Sequence, residues 1–597
     1  MGIADKLLRS LRDDRPSGKP IRLVFDPRYA RPITGVPMDP HRGENIAAFL
    51  TMEKLVAADA LIAVELASMA SLRRVHTDGY LESLADPGLL SRVFGMDFDP
   101  AVVDAVVGAH RLMVGGTSRA TRVAVQRKAT VVHLGGGFHH AAPDRGHGFC
   151  LLNDIAVAIR GARAHGVTGP ILVIDVDIHD GDGTRLCFAD DPTVHTYSIH
   201  NRSLDDRTAI ASTSVELGTG VRDARYLDAL RSTLPAVVSS VAPELIFIVA
   251  GTDPAHDDRL GDWFISEAGM LERDRLVMGL TQRSPETPVV VVLAGGYGAN
   301  AWRYTARWLA EHLSGRVRDV PRAEDMTLAR MRLLGRDFDP NRGSELDIRF
   351  TEADLMGALT TARSSRFLDF YTREALDLGF ERYGIYDRLR ALGYRHPWLD
   401  WNLEDGAGHA LRIYGDHPGT DGTTPPIVAE LVARRDRELL ADGEVLYVEW
   451  LTLQNPRAAA SRTLLPGQRH PGLGLLGETL ALLIMLCERV GLEGLAFTPM
   501  HYHLAVLGQG RMHFLDPARE ALCRALMATG EPFAELSRAL AAGRVRSART
   551  GEVLEWQPGP FILPLSARLR DRVTGPSYES AVASAMDDVG VVVLAVV

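Results

Sequence analysis

The sequence predicts an α/β fold, an open and mostly parallel sheet flanked by helices, followed by a second unit of α+β type. Three observations predict it. Short β-branched runs alternate with helical segments from Ile21 to about Gly315. Each run ends in a loop carrying Gly, His or Asp, the place where open α/β sheets bind ligands. The run Ile171-Leu-Val-Ile174 is apolar on both faces, as in a parallel strand covered by helices on either side.

In chain order, residues 1–20 form a polar tail rich in Arg and Asp, without the apolar stretch of a signal peptide. Residues 21–315 make the first domain, with strands expected at Val131 to Leu134, Ile171 to Ile174, Val194 to Ile199, Leu245 to Val249 and Val289 to Leu293. Residues 316–345, rich in Arg, Asp, Gly and Pro, read as a linker. Residues 346–597 form a second domain, closed by the strand-length run Gly590 to Val597, which is expected to be buried. A chain of 597 residues with 46% hydrophobic and 24% charged content has room for two such domains.

A net charge of −10 argues against a nucleic-acid surface, and no run is long enough to span a membrane. Cys150, Cys187, Cys487 and Cys523 are widely spaced, which excludes a cysteine zinc cage and fits a reducing, cytoplasmic location.

The chemistry concentrates in four loops. In Asp175-Val-Asp177-Ile-His179-Asp180-Gly-Asp182-Gly183, alternation puts Asp175, Asp177 and His179 on one face of a buried strand end. Buried carboxylates demand a positive partner. Asp177, His179 and, from a second loop, Asp253 offer two carboxylates and an imidazole, a set that suits one Zn²⁺ with a position open for water. N-capping or salt-bridged aspartates are the plainer alternative. The adjacent His139 and His140 follow three glycines and can serve as general base and acid if carboxylates orient them, Asp175 and Asp182 being the candidates. Tyr297, on a Gly-Gly turn, can donate to an oxyanion. Each of these residues taken alone has a structural reading; their order along one domain favours the catalytic one.

Gly135-Gly-Gly-Phe-His-His140, the stretch Asp144 to Asp154, the acidic loop, Ala250-Gly-Thr-Asp253 with Asp258-Arg-Leu-Gly261, and Ala294-Gly-Gly-Tyr297 closely resemble the zinc-dependent histone deacetylase family of the arginase-deacetylase superfamily, most of all its class IV branch. The resemblance implies an arginase/deacetylase-type fold over residues 21–315 and removal of acetyl or longer acyl groups from lysine side chains of proteins. It implies Zn²⁺ on Asp177, His179 and Asp253, proton transfer by His139 and His140 with Asp175 and Asp182 behind them, and Tyr297 on the oxyanion. It also implies a K⁺ site at Asp175, Asp177, His179, Ser198 and Ile199, and an acyl-lysine tunnel at Gly148, Phe149 and Leu260. Two departures bear on chemistry. Asp180 adds a negative charge expected to raise nearby histidine pKa values. Leu260 stands where a polyamine-deacetylating relative would carry an acidic residue, which disfavours a cationic polyamine. A catalytically silent acyl-ligand-binding protein and a small-molecule amide deacetylase of the polyamine or acetoin-utilisation type are the alternatives.

In the second domain, strands are expected at His409 to Tyr414, Ile427 to Val432, Val445 to Leu453 and Leu495 to Thr498, with Arg469-His-Pro-Gly472-Leu473-Gly474 opening an apolar helix. A helix N-terminus with close-approach glycines favours anions. The motif resembles the coenzyme A loop of GNAT acyltransferases, which implies acyl-CoA binding. Gly508 falls where that family often has a tyrosine acid, and Glu449, Tyr502 and His503 are the substitutes on offer.

Overall fold

The computed structural model describes residues 21–30, 37–204, 209–281, 286–336, 338–339, 366–417, 425–458, 464–547, 549–589 and 592–594. The polar tail of residues 1–20 lies outside them. The chain divides into two compact units, residues 1–336 and 337–597.

In the first unit seven strands pair in parallel in the order β1-β2-β7-β6-β3-β4-β5. They are β1 (Ile21–Val24), β2 (Thr130–His133), β3 (Ile171–Asp175), β4 (Val194–His200), β5 (Ser212–Glu216), β6 (Leu245–Val249) and β7 (Val289–Val292). Every residue of β2, β3, β6 and β7 is buried, so the four central strands carry Val, Ile and Leu on both faces. The edge strand β5 is polar and half exposed, which is why its sequence gives little strand signal. Helices α1 (Arg42–Met52), α2 (Val103–Arg127), α3 (Asp154–Ala164), α4 (Asp182–Cys187), α5 (Asp223–Val241), α6 (Glu267–Thr281) and α7 (Ala301–Ser314) supply the covering layers. Asn153 caps α3 by accepting from Ala156 N, and Gly315 ends α7 in the left-handed conformation. The neighbours β2, β7, β6 and β3 end together, and their carboxyl-end loops are the four singled out by sequence.

The expected linker needs correction. Residues 323–334 contain a 3-10 turn (Ala323–Met326) and helix α8 (Thr327–Leu334), which belong to the first unit. Met326, Met331 and Leu333 are buried, and Arg330 reaches Glu44 of α1, so the charged composition hides a packed helix.

The second unit holds a mixed sheet in the order β13-β15-β12-β11-β10-β9-β8. Its strands are β8 (Trp398–Asp405), β9 (Gly408–Tyr414), β10 (Ile427–Asp436), β11 (Val445–Leu453), β12 (Gly494–Phe497), β13 (His513–Phe514) and β15 (Phe561–Pro564). β11 and β12 pair in parallel through the crossover helix α11 (Leu476–Val490), and the other pairs are antiparallel. Helices α9 (Arg373–Arg382) and α10 (Ile385–Ala391) precede β8. The closing run contributes β16 (Val592–Leu594), paired with β14 (Val545–Ser547); its last residues, 595–597, lie outside the described ones. Among the described residues no helix is long and apolar enough to cross a membrane.

Candidate active site

The loop after β2 brings two histidines to the carboxyl end of the sheet. Gly136 and Gly137 take φ of +67° and +92°, and a Cβ on Gly137 would come within 2.5 Å of the Ala294 backbone. His139 Nδ1 lies 2.8 Å from Asp175 Oδ2, and His140 Nδ1 lies 2.8 Å from Asp182 Oδ1. Each carboxylate fixes a tautomer with the proton on Nδ1, which leaves Nε2 for the reaction. The two rings lie 4.1 Å apart and are almost fully buried. Burial pulls both pKa values down. For His139, Asp175 and Asp177 outweigh it and raise the value to about 10; for His140, burial and the neighbouring His139 charge prevail and lower it to about 4. The two environments thus push the histidine pKa values in opposite directions.

Asp177, His179 and Asp253 converge so that one ligand atom from each lies within 4.8 Å of the others. Both carboxylates are fully buried, and among the described residues no Lys or Arg lies in ion-pair range of either. His179 Nδ1 sits 3.2 Å from Asp177 Oδ1 and 3.0 Å from Asp253 Oδ2. Backbone amides orient the outer oxygens: His179 N and Gly295 N donate to Asp177, and Ile178 N donates to Asp253. A side chain on Gly251 or Gly295 would collide with these carboxylates. Burial and the Asp177 charge push the Asp253 carboxyl up. Two buried acids and an imidazole lacking a fixed cation are the donor set that Zn²⁺ fits.

Tyr297 is 8% exposed, and burial with the Asp253 and Asp177 charges raises its pKa, so its phenol stays a proton donor. Its ring centroid lies 5.8 Å from that of Phe149, a residue held at φ +64°. Gly148 packs on His140, where a Cβ would meet the ring at 2.6 Å. Of the expected tunnel residues, Gly148 and Phe149 therefore lie beside His140 and the tyrosine. Leu260 is 44% exposed.

Sequence reasoning missed two residues. The Asp258 carboxylate accepts from four backbone amides, Tyr297 N at 2.6 Å, Gly298 N at 3.1 Å, and Leu260 N and Gly261 N at 2.9 Å, and so ties the tyrosine turn to the loop after β6. Arg42 of α1, also buried, donates to Ala294 O at 2.7 Å and Gly295 O at 3.0 Å beneath the same turn. The sequence Arg42-Gly-Glu-Asn45 is polar before the apolar run Ile46 to Leu50, and nothing in it marks Arg42 as buried.

A family model described as "Histone deacetylase domain" matches residues 36–313. Among relatives, an uncharacterised protein of Picosynechococcus sp. is 33% identical over 288 residues, 47% of this chain and 92% of that protein. Histone deacetylase 2 of Arabidopsis thaliana is 30% identical over 316 residues, 51% of this chain and 81% of its own length. The chain belongs to the histone deacetylase family. Acetoin utilization protein AcuC of Staphylococcus aureus is 29% identical over 297 residues, 45% of this chain and 75% of its own.

Within this histone deacetylase-family unit, the expected upward pull of Asp180 on a nearby histidine falls on His200. Asp180 is fully buried in a two-point ion pair with Arg185, at 2.5 and 2.8 Å, and also accepts from Leu204 N. Burial works against its charge, but Arg185 and His200 hold its pKa below the usual carboxylate value. Arg185 offsets the extra charge; Asp180 raises the pKa of His200 against burial, and the largest influences on His139, His140 and His179 come from other groups. Of the residues expected around K⁺, Asp175 and Ser198 line one small cavity with Gly181 and Thr184, while Asp177, His179 and Ile199 are not in its wall. The Ser198 hydroxyl lies 2.9 Å from His200 Nδ1.

In the second unit, Gly474 takes φ +72° before α11, and Asn455 N donates to Pro471 O, so the loop folds against the end of β11. Arg469 is exposed. Leu473 is a core residue, 2% exposed, in the wall of an apolar cavity of about 120 Å³ between the sheet and α9, α10 and α11. The substitutes for a catalytic acid are engaged elsewhere: Glu449 pairs with Arg434, His503 Nδ1 lies 2.8 Å from Ser537 Oγ, and Tyr502 packs edge-on to Trp556.

Proposed function

We propose that the first unit hydrolyses acyl-lysine amides in a zinc-dependent reaction, with Zn²⁺ held by Asp177, His179 and Asp253. The observation that carries this reading is the convergence of those three ligands, the two carboxylate-backed histidines and the Tyr297 hydroxyl at the ends of four adjacent strands. Bound there, Zn²⁺ would supply Lewis-acid polarisation of the amide carbonyl and make water a stronger acid. The chain's own groups do the rest. A histidine Nε2 takes the proton from the attacking water while Asp175 or Asp182 stabilises the imidazolium through Nδ1. Tyr297 donates its O–H to the carbonyl oxygen as that oxygen gains charge. The protonated imidazole then gives its proton to the departing lysine amine. Phe149 and Gly148 wall the apolar stem of the substrate, and Asp175 with Ser198 offers the oxygen pair for K⁺.

An exposed Leu260 favours an acyl-lysine on a protein over a cationic polyamine. Similarity to an acetoin utilization protein favours a second reading, a small acylated metabolite, at the same site. For the second unit we propose acyl-CoA binding without transfer. The parallel β11 and β12 pair, the crossover helix and the positive-φ Gly474 support the binding half, and the engaged Glu449, Tyr502 and His503 support the second.

The test is acetate release from acetyl-lysine peptides by the zinc-loaded chain, extended across acyl-chain lengths. Tyr297→Phe should lower kcat by about 10²- to 10³-fold, and Asp177→Asn should remove most of the bound metal. A wild-type rate no higher than that of Tyr297→Phe overturns the hydrolytic reading.

A further inference from the structure

Behind the catalytic loop lies a second buried acid that the reaction above does not use. Asp154, the first residue of α3, is fully buried and accepts from Gly137 N at 2.9 Å and Phe138 N at 2.7 Å, the two amides immediately before His139. Thr117 Oγ1 of α2 donates to Asp154 Oδ2 at 2.5 Å and lies 2.9 Å from His133 Nδ1. His133, the last residue of β2, places Nε2 at 2.8 Å from the Tyr29 hydroxyl. All four side chains are buried.

Proton direction follows from donor and acceptor capacity. An ionised carboxylate only accepts, so Thr117 must give it the hydroxyl proton. The threonine oxygen then accepts from His133 Nδ1–H, and the neutral ring accepts at Nε2 from Tyr29 O–H. Burial lowers the His133 pKa to about 3, consistent with that neutral ring. The backbone is shaped around this chain. A Cβ on Gly116 would collide with both His133 Nε2 and the Tyr29 hydroxyl, and one on Gly136 would collide with Asp154 Oδ2 and press on Thr117 Oγ1. Burial raises the Asp154 carboxyl above its usual value, with no guanidinium or ammonium paired to it among the described residues; the Thr117 hydroxyl and the Gly137 and Phe138 amides act against that rise by donating to both of its oxygens.

We propose that Tyr29, His133, Thr117 and Asp154 form a one-way hydrogen-bond relay whose task is to position the loop carrying His139 and His140. These are positioning residues: they act through the Gly137 and Phe138 amides. The kinetic consequence rests on the hydrolase reading; the structural consequence does not.

The experiment uses the full chain and two readouts. Thr117→Val removes the donor to Asp154 at nearly constant volume, and Thr117→Ser keeps it. In Thr117→Val, hydrogen exchange over residues 134–141 should quicken about tenfold while β4 stays protected, and Thr117→Ser should restore the wild-type rate. On an acetyl-lysine peptide, kcat of Thr117→Val should fall about 10- to 100-fold with KM within about twofold, again restored by serine. Tyr29→Phe, which removes only the first donor and leaves the fold intact, should show a smaller change of the same kind. Unchanged exchange in Thr117→Val overturns the relay. Faster exchange with unchanged kcat in an active enzyme overturns its catalytic purpose. A wild type that hydrolyses nothing condemns the hydrolase reading alone, because the exchange arm still decides the relay.

Discussion

Replacing Asp180 by Asn separates two accounts of the charge beside the metal site. If Asp180 acted on the histidines, Asp180→Asn would shift the pH dependence of kcat and leave stability nearly intact. The geometry says otherwise. Both carboxylate oxygens face Arg185, His200 Nδ1 is 3.6 Å away, and neither Asp180 nor Arg185 is more than 6% exposed. Removing one charge of a buried pair costs about 3–5 kcal/mol when nothing else holds its partner, and less for Arg185, which keeps other contacts. Asparagine still accepts from Leu204 N and one guanidinium N–H, so the lower end, about 3 kcal/mol, is expected. For a unit of this size about 2 °C accompanies each kcal/mol, giving a fall in Tm of ~6 °C. Thermal and urea unfolding of metal-loaded protein measures it, alongside kcat at several pH values. The companion Asp180→Asn/Arg185→Met should recover part of the loss, since it also removes the guanidinium left facing a neutral amide. A Tm within about 1 °C of wild type together with a displaced pH profile would refute the ion-pair account and reinstate the charge effect on the histidines.

Two further outcomes follow from the same geometry. Asp258→Asn keeps size but weakens a clamp on four amides, so kcat should fall about 10- to 100-fold with little change in KM, read by steady-state kinetics on an acetyl-lysine peptide; kcat within about twofold of wild type would show that Tyr297 is held by other contacts. His133 and His76 are kept neutral by burial, with pKa values lowered to about 3 and about 4. The unfolded chain, with histidine near 6.5, takes up protons first, so their stabilisation is complete above that pH and is lost as pH falls toward the folded values. At pH 5 the loss is about 2 kcal/mol for each, and equal urea midpoints at pH 7 and pH 5 would contradict it.

The central strands were legible because their physics is local. Ile171 to Ile174 and Val289 to Val292 are apolar on both faces, and the turn to Asp, His and Gly at their ends marks where the sheet stops and chemistry begins. The residues that share the first unit's site were equally legible, since each sits within a few positions of a strand end. Asp258 and Arg42 were not. Their partners are backbone amides and carbonyls 39 and more than 250 residues away, and a side chain's interaction with distant backbone leaves no periodicity or spacing to read. The same reason explains the second unit. β15 enters between β12 and β13 by a pairing that crosses some 45 residues, and Phe561 to Pro564 alone gives no hint of its neighbours. Helix α8 was hidden differently: Arg330 turns inward to Glu44 and Arg332 is exposed, so a charged composition that reads as linker conceals a packed helix.

The buried acids of the first unit show why partner chemistry, more than burial, decides what each can do. Asp175 and Asp182 face imidazoles, partners that change charge during a proton transfer, so these acids can follow the reaction. Asp180 faces a guanidinium that never deprotonates, which locks its charge and removes it from the proton traffic despite its place next to His179. Asp154 and the half-buried Asp258 face mainly amides and a hydroxyl, which respond to displacement and hardly to pH, so both are suited to positioning. Asp177 and Asp253 alone have no such fixed partner beyond the neighbouring imidazoles and amides, and that residual charge deficit is the physical ground for placing a cation between them. On the proposed reading, seven carboxylates that look alike in sequence thus separate into proton partners, a locked pair, two positioning clamps and two candidate ligands, by the groups that fold against them.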